Sequence, residues 1–149
     1  MNRHVFVSLS LLSIASATHA EVKLPVIFSD HMVLQRGEPV PVWGSASNGE
    51  EVKVTFAGQT KETKAGGDGK WKVSLDAMKE EAKPADLVVA GKNTVTIKDV
   101  LVGEVWVCSG QSNMEWTVLK AGNPEQEIAA AKYPAVRMFN LERETSMSP

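Results

Sequence analysis

The residues best suited to chemistry lie in one run: Val102-Gly103-Glu104-Val105-Trp106-Val107-Cys108-Ser109-Gly110-Gln111-Ser112-Asn113-Met114-Glu115-Trp116. Residues 104–108 are, after Glu104, apolar, β-branched or aromatic, without the alternation that leaves one face wet, and this predicts a central parallel strand. Ser112 would then sit in the turn at its carboxyl end, where open α/β sheets place ligands. A serine there can act as a nucleophile, with its own N–H and those of the following helix facing a developing oxyanion. The other reading is a helix N-cap, and on spacing alone the cap is favoured because serine is a preferred cap residue. Gly110 allows a backbone geometry that a side chain would hinder. The nucleophile elbow of α/β-hydrolases needs G-x-S-x-G. Met114 stands where its second glycine belongs, so that fold is disfavoured.

Serine hydrolysis also needs a base and a group that orients it. Of the three histidines, only His31 lies beyond residue 20. It is far upstream of Ser112 and reads as a turn or packing residue rather than the base. Glu104 and Glu115 flank the serine, but nothing fixes the separation that a glycosidase carboxylate pair requires. Asp30 and Asp68 read as turn residues. Trp71 and Trp106 read as core, whereas Trp116 is close enough to Ser112 to line a substrate pocket. The single cysteine, Cys108, reads as a buried, inert thiol in the apolar strand. No cysteine or histidine spacing suggests zinc, so no metal site and no cofactor are expected.

The elements that must position this run divide the chain. Val52, Val54 and Phe56 alternate with Lys53 and Thr55, and residues 59–64 return as a polar strand across Ala57-Gly58. Trp71, Val73 and Leu75 alternate in the same way. Further short strands are expected at residues 40–43, 87–90 and 94–98, preceded by an extended opening segment at 23–34 and a charged loop or helical turn at 78–84. Short strands at this spacing with glycine-rich turns predict an antiparallel β-sandwich. Beyond Val102 the pattern changes. Residues 114–120 and 124–132 read as helices, the second with Asn123 as N-cap and Pro124 in its first turn. Residues 136–141 read as a second strand, completing a βαβ unit.

The chain has 149 residues and a formal net charge of −2. With no basic run, this argues against nucleic-acid binding. Arg3 and His4 precede a short apolar run, and small residues follow up to Ala20. Residues 1–20 therefore read as a secretory signal peptide, too short in its apolar part to span a bilayer. The expected mature protein begins near Glu21, is periplasmic or extracellular, and is not held at the membrane. Its oligomeric state is not legible.

The block Asp99-Val100-Leu101-Val102-Gly103-Glu104-Val105-Trp106, followed by Cys108-Ser109-Gly110-Gln111-Ser112-Asn113-Met114-Glu115-Trp116, resembles the first block of the sialate O-acetylesterase family. The resemblance extends upstream through Phe28-Ser29-Asp30, Met32-Val33-Leu34-Gln35-Arg36, Pro41-Val42-Trp43-Gly44 and Gly91-Lys92-Asn93-Thr94-Val95, and downstream through Asn123-Pro124. It implies a carbohydrate esterase with an SGNH-hydrolase domain, in which Ser112 is nucleophile and one oxyanion N–H. Gly110, Gln111 and Asn113 belong to the motif and would shape the turn. In such enzymes an Asp and a His near the domain's end complete the triad, and later blocks complete the oxyanion hole. None of those blocks falls within these 149 residues.

The expectation is therefore a signal peptide (1–20), an antiparallel β-sandwich (21–101), and the first βαβ part of an SGNH-type α/β, parallel-sheet domain (102–149). The implied substrate is an acetylated sugar or glycan, and the chain alone is expected to be a poor esterase. The alternative is a non-catalytic chain whose sandwich binds glycan or serves as a structural module. An open reading frame beyond Pro149 encoding a late Asp-x-x-His would favour the esterase.

Overall fold

A computed structural model describes residues 21–141. The expected signal peptide and the last eight residues lie outside the described part. Seven strands form first: β1 Val33–Gln35, β2 Val40–Ser45, β3 Glu51–Phe56, β4 Gln59–Lys64, β5 Lys70–Leu75, β6 Glu81–Ala90 and β7 Thr94–Gly103. They make a five-stranded sheet in the order β1-β7-β6-β3-β4 and a two-stranded sheet of β2 and β5. All pairs are antiparallel except β1 with β7, which run parallel from Val33 beside Leu101 to Gln35 beside Gly103. The all-antiparallel expectation is corrected at this edge.

Alternation decides what is buried. Val52, Val54 and Phe56 of β3 and Trp71, Val73 and Leu75 of β5 turn inward, and their lysine neighbours turn out. They join Val42, Leu87, Val89 and Val100 in one core shared by both sheets. Burial of these side chains is the main favourable contribution to folding, at about 1.5–3 kcal/mol for each large aliphatic or aromatic group. β4 is polar along its whole length and forms a lysine-bearing edge, which resists pairing with other chains. The β3–β4 hairpin closes through Ala57 and Gly58, both at positive φ, as a two-residue turn of the primed type requires.

β7 carries a bulge that sets up everything after it. Leu87 pairs with Ile97 and Ala85 with Val100, so β7 uses one more residue than β6 between the same two rungs. Asp99 lies within this insertion, at φ 56°. The extra residue reverses the inward parity, so Ile97 is followed on the buried face by Val100 and Val102. β7 thus stays in the core through Val102 and ends at Gly103.

The expected strand at 104–108 does not form. Val105, Trp106 and Val107 are exposed, the latter two 83% and 92% so, and Cys108 is exposed rather than buried. Nor is there a strand at 136–141. A parallel strand needs flanking strands for its amides and helices over both faces. Among the described residues nothing supplies either. The expected helix at 114–120 is instead two 3-10 turns, Ser112–Glu115 and Val118–Lys120. Helix α1, Pro124–Ala130, does form, with Pro124 in its first turn, although the Asn123 side chain makes no cap hydrogen bond.

Candidate active-site loop

The approach to Ser112 starts where β7 leaves the sheet. The Arg36 N–H donates to the Gly103 carbonyl at 2.9 Å, and the Val105 N–H donates to Gln35 Oε1, also at 2.9 Å. Glu104 is gripped from the same place: Arg36 Nε donates to its Oε1 at 2.6 Å, and Gln35 Nε2 to its Oε2 at 3.2 Å. The Gln35 hydrogen bond, and then the Arg36 charge and hydrogen bond, hold the Glu104 carboxyl below the usual range. The last residue of β1, Gln35, and the one after it, Arg36, thus fix the first two residues of the loop. Glu104 is committed to this grip, which argues against a glycosidase carboxylate pair.

Beyond this clamp the chain reaches Gly110, Gln111 and Ser112, all exposed. Gln111, in extended conformation, precedes the 3-10 turn that Ser112 opens. The Met114 N–H donates to the Gln111 carbonyl at 2.9 Å, and the Trp116 N–H to the Asn113 carbonyl at 3.2 Å. Gly110 lies close under Met114: a Cβ there would stand 2.7 Å from Met114 Cγ, and the Met114 side chain would have to shift. Ser112 is the first residue of the turn and not its cap, and no side-chain cap bond is made, so the capping role read from spacing is not found. Its hydroxyl is exposed, with no side chain hydrogen-bonded to it among the described residues. Trp116 is held by its own Nε1–H, which donates to the Lys120 carbonyl at 3.2 Å, and by the Lys120 ammonium 5.7 Å from its ring centroid. Gly110, Gln111, Ser112, Asn113 and Trp116 therefore form one short exposed loop with a fixed aromatic at its end.

His31 is engaged elsewhere. Its Nδ1 pairs with Asp99 Oδ2, while Arg137 Nη1 and Nη2 bond the Asp99 carbonyl and Oδ1. His31 and Asp99 both have positive φ. The His31 hydrogen bond and then Arg137 lower the Asp99 carboxyl from its ordinary range. A carboxylate on Nδ1 is the arrangement that orients a histidine base, yet His31 makes no hydrogen bond with Ser112. The cluster instead ties the segment around Arg137 back to the β7 bulge. Arg137 and the Gln35–Arg36 clamp went unrecognised in the sequence; the one signal was that Gln35-Arg36 and Asp99 stood in blocks of the family resemblance.

No family model matches the chain. Sialate O-acetylesterase from Rattus norvegicus is 38% identical over 126 residues, covering 75% of this chain and 23% of the relative. Sialate O-acetylesterase from Homo sapiens is 38% identical over 128 residues, 76% of this chain and 24% of the relative. Among solved structures, a carbohydrate acetylesterase from Xanthomonas citri superposes with a TM-score of 0.72 at 41% identity, covering 75% of this chain and 26% of that one. The chain thus spans about a quarter of the length of the relatives it matches. With the likeness running through most of the chain in both sequence and fold, the chain belongs to the sialate O-acetylesterase family.

Proposed function

We propose that this chain supplies the nucleophile-bearing part of a serine esterase that removes O-acetyl groups from sugars. The observation that carries the proposal is the exposed Ser112 at the start of a 3-10 turn, in a chain whose relatives are named as sialate O-acetylesterases and a carbohydrate acetylesterase.

In this reading Ser112 Oγ attacks the acetyl carbonyl carbon as its proton passes to a base. The carbonyl oxygen becomes an oxyanion and takes a hydrogen bond from the Ser112 N–H. Collapse breaks the bond to the sugar oxygen, which leaves with the proton, and the acetyl group stays on Ser112. Water, deprotonated by the same base, then releases acetate and restores the hydroxyl. The base and its orienting carboxylate are the Asp–His pair that the family resemblance implies, in the length that the relatives have beyond the part matched here. Trp116, on the same loop, lines the sugar side. We further infer that the protein is exported and that residues 1–20 are removed.

The test is Ser112→Ala in a protein carrying these residues at the length of its relatives. Acetate release should fall by about 10⁴-fold or more, as for removal of a triad serine, whereas Ser109→Ala should retain activity. Acetate release by Ser112→Ala at the unaltered rate would refute the assignment. For export, mass spectrometry of protein recovered outside the cytoplasm should show a chain beginning at Glu21; an intact Met1 there would refute cleavage.

A further inference from the structure

The outer face of the two-stranded sheet is built differently from the other exposed faces. β2 and β5 are in register, so Pro41, Trp43 and Ser45 stand opposite Ser74, Lys72 and Lys70 on the side away from the core. Trp43 is 39% exposed, yet its ring is braced edge-on by Phe28 at 4.8 Å between centroids. Lys72 is its direct cross-strand neighbour. Lys23 arrives from the opening segment, whose backbone bridges to Ser45. Lys23, Pro41, Trp43, Ser45, Lys70 and Lys72 line an open groove of about 1010 Å³.

Two features of the groove point to a ligand. The first is its charge. Lys23, Lys70 and Lys72 line it against one carboxylate, Asp68, whose Oδ1 accepts from the Lys70 backbone N–H. Among the described residues no carboxylate lies within ion-pair distance of these three ammonium groups, although Lys53 and Lys61 each have one. The second is the Trp43 ring, an aromatic face that Phe28 braces beside these ammonium groups.

We propose that this groove binds a carboxylated saccharide, with a sugar face stacked on Trp43 and carboxylates paired with Lys70, Lys72 and Lys23. A rigid indole offers a flat apolar surface to the C–H face of a pyranose, and the lysine heads set the sign of the ligand. The choice of a sugar rests on the esterase reading above; the site and its charge preference do not. Binding here would hold an acidic glycan on the β-rich part of the chain, separately from the Ser112 loop.

The experiment is calorimetric titration with three probes: trigalacturonate, its uncharged methyl ester, and citrate. Because no turnover is measured, the result is independent of whether Ser112 acts as nucleophile. Trigalacturonate should bind, more weakly as salt rises because these charges are exposed. The methyl ester and citrate should each bind at least about tenfold more weakly, the first lacking charge and the second lacking a ring to stack. Lys70→Gln with Lys72→Gln, on a solvent face where folding is unaffected, should weaken binding by about three- to twentyfold. Trp43→Ala should weaken it by up to about tenfold, with a melting curve showing that the variant is folded. The proposal is overturned if trigalacturonate and its ester bind alike, if citrate binds equally well, if the lysine variant binds as the parent does, or if millimolar trigalacturonate gives no heat.

Discussion

Gly44→Ala should be far more damaging than an added methyl group suggests. A Cβ at Gly44 would stand 2.2 Å from the Lys23 carbonyl oxygen and 2.9 Å from Trp71 Cζ2. The first neighbour is backbone, and it is already used: the Ser45 N–H donates to that oxygen at 3.0 Å, and the Lys23 N–H donates to the Ser45 carbonyl at 2.8 Å. Ordinary contact requires the Lys23 segment to retreat by roughly an ångström, which breaks both bonds. Two hydrogen bonds are worth about 1–3 kcal/mol together, and overpacking against Trp71 adds about 1–3 kcal/mol. Restricting the unfolded chain returns about 0.4–1 kcal/mol. The net loss is about 1–6 kcal/mol, against a total stability of about 5–15 kcal/mol for a domain. At about 4–8 °C per kcal/mol for a domain of this size, the melting midpoint followed by circular dichroism should drop by at least about 4 °C, and by about 20 °C at the middle of that range. Gly67→Ala is the control, since nothing lies within 4 Å of its Cβ and its φ is not in the left-handed region; it should melt within a few degrees of the parent. A Gly44→Ala protein melting like Gly67→Ala would show that the opening segment does not rest on β2, and would remove one wall of the groove.

Two further outcomes are expected. Glu50 is the buried carboxylate of the β-rich part, accepting from the Lys92 N–H at 2.7 Å and the Ser47 N–H at 3.0 Å; these bonds, the Lys92 one foremost, hold its pKa below the ordinary 4.5. Its contribution to stability is therefore complete above that ordinary value and is lost as the pH falls through the lowered one, so urea midpoints of Glu50→Gln and parent should converge in acid; a constant gap across that range would refute the role. Asp99→Asn should release the Arg137 segment, read as sharper, faster-relaxing NMR signals from residues 138–141 with those of β3 unchanged; unaltered relaxation would mean that other contacts hold the segment.

The strands were legible because burial selects residue types at period two. Val52, Val54 and Phe56, or Trp71, Val73 and Leu75, announce which face is inward before any partner is known. The Ala57-Gly58 turn was legible for the same local reason. The β1–β7 pairing was not, because three residues carry no period and their partners lie 68 positions away. The bulge at Asp99 was hidden too, since an aspartate at positive φ looks in sequence like any polar strand residue. Ser112 and its neighbours stood out by motif. The clamp that presents them, made by Gln35 and Arg36, did not, because side chains that meet through parallel pairing leave no spacing to count.

The misread strand at 104–108 shows where sequence pattern stops carrying information. Val105, Trp106 and Val107 have the composition of a central strand, and composition states what a segment can tolerate once covered. Being a strand is a property of a ladder: each amide needs a neighbour's carbonyl, and each apolar side chain needs a covering layer. Here the clamp at Gly103 and Glu104 and the Asp99–Arg137 tie are both polar, and they hold the segment without burying it. Its apolar side chains, from Val105 through Trp116 to Leu141, remain exposed. So many exposed large apolar side chains in one segment fit a surface that another part of a protein covers. The same polar ties would leave the backbone of 104–108 free to accept neighbouring strands, because neither tie uses the amides of Trp106 or Val107.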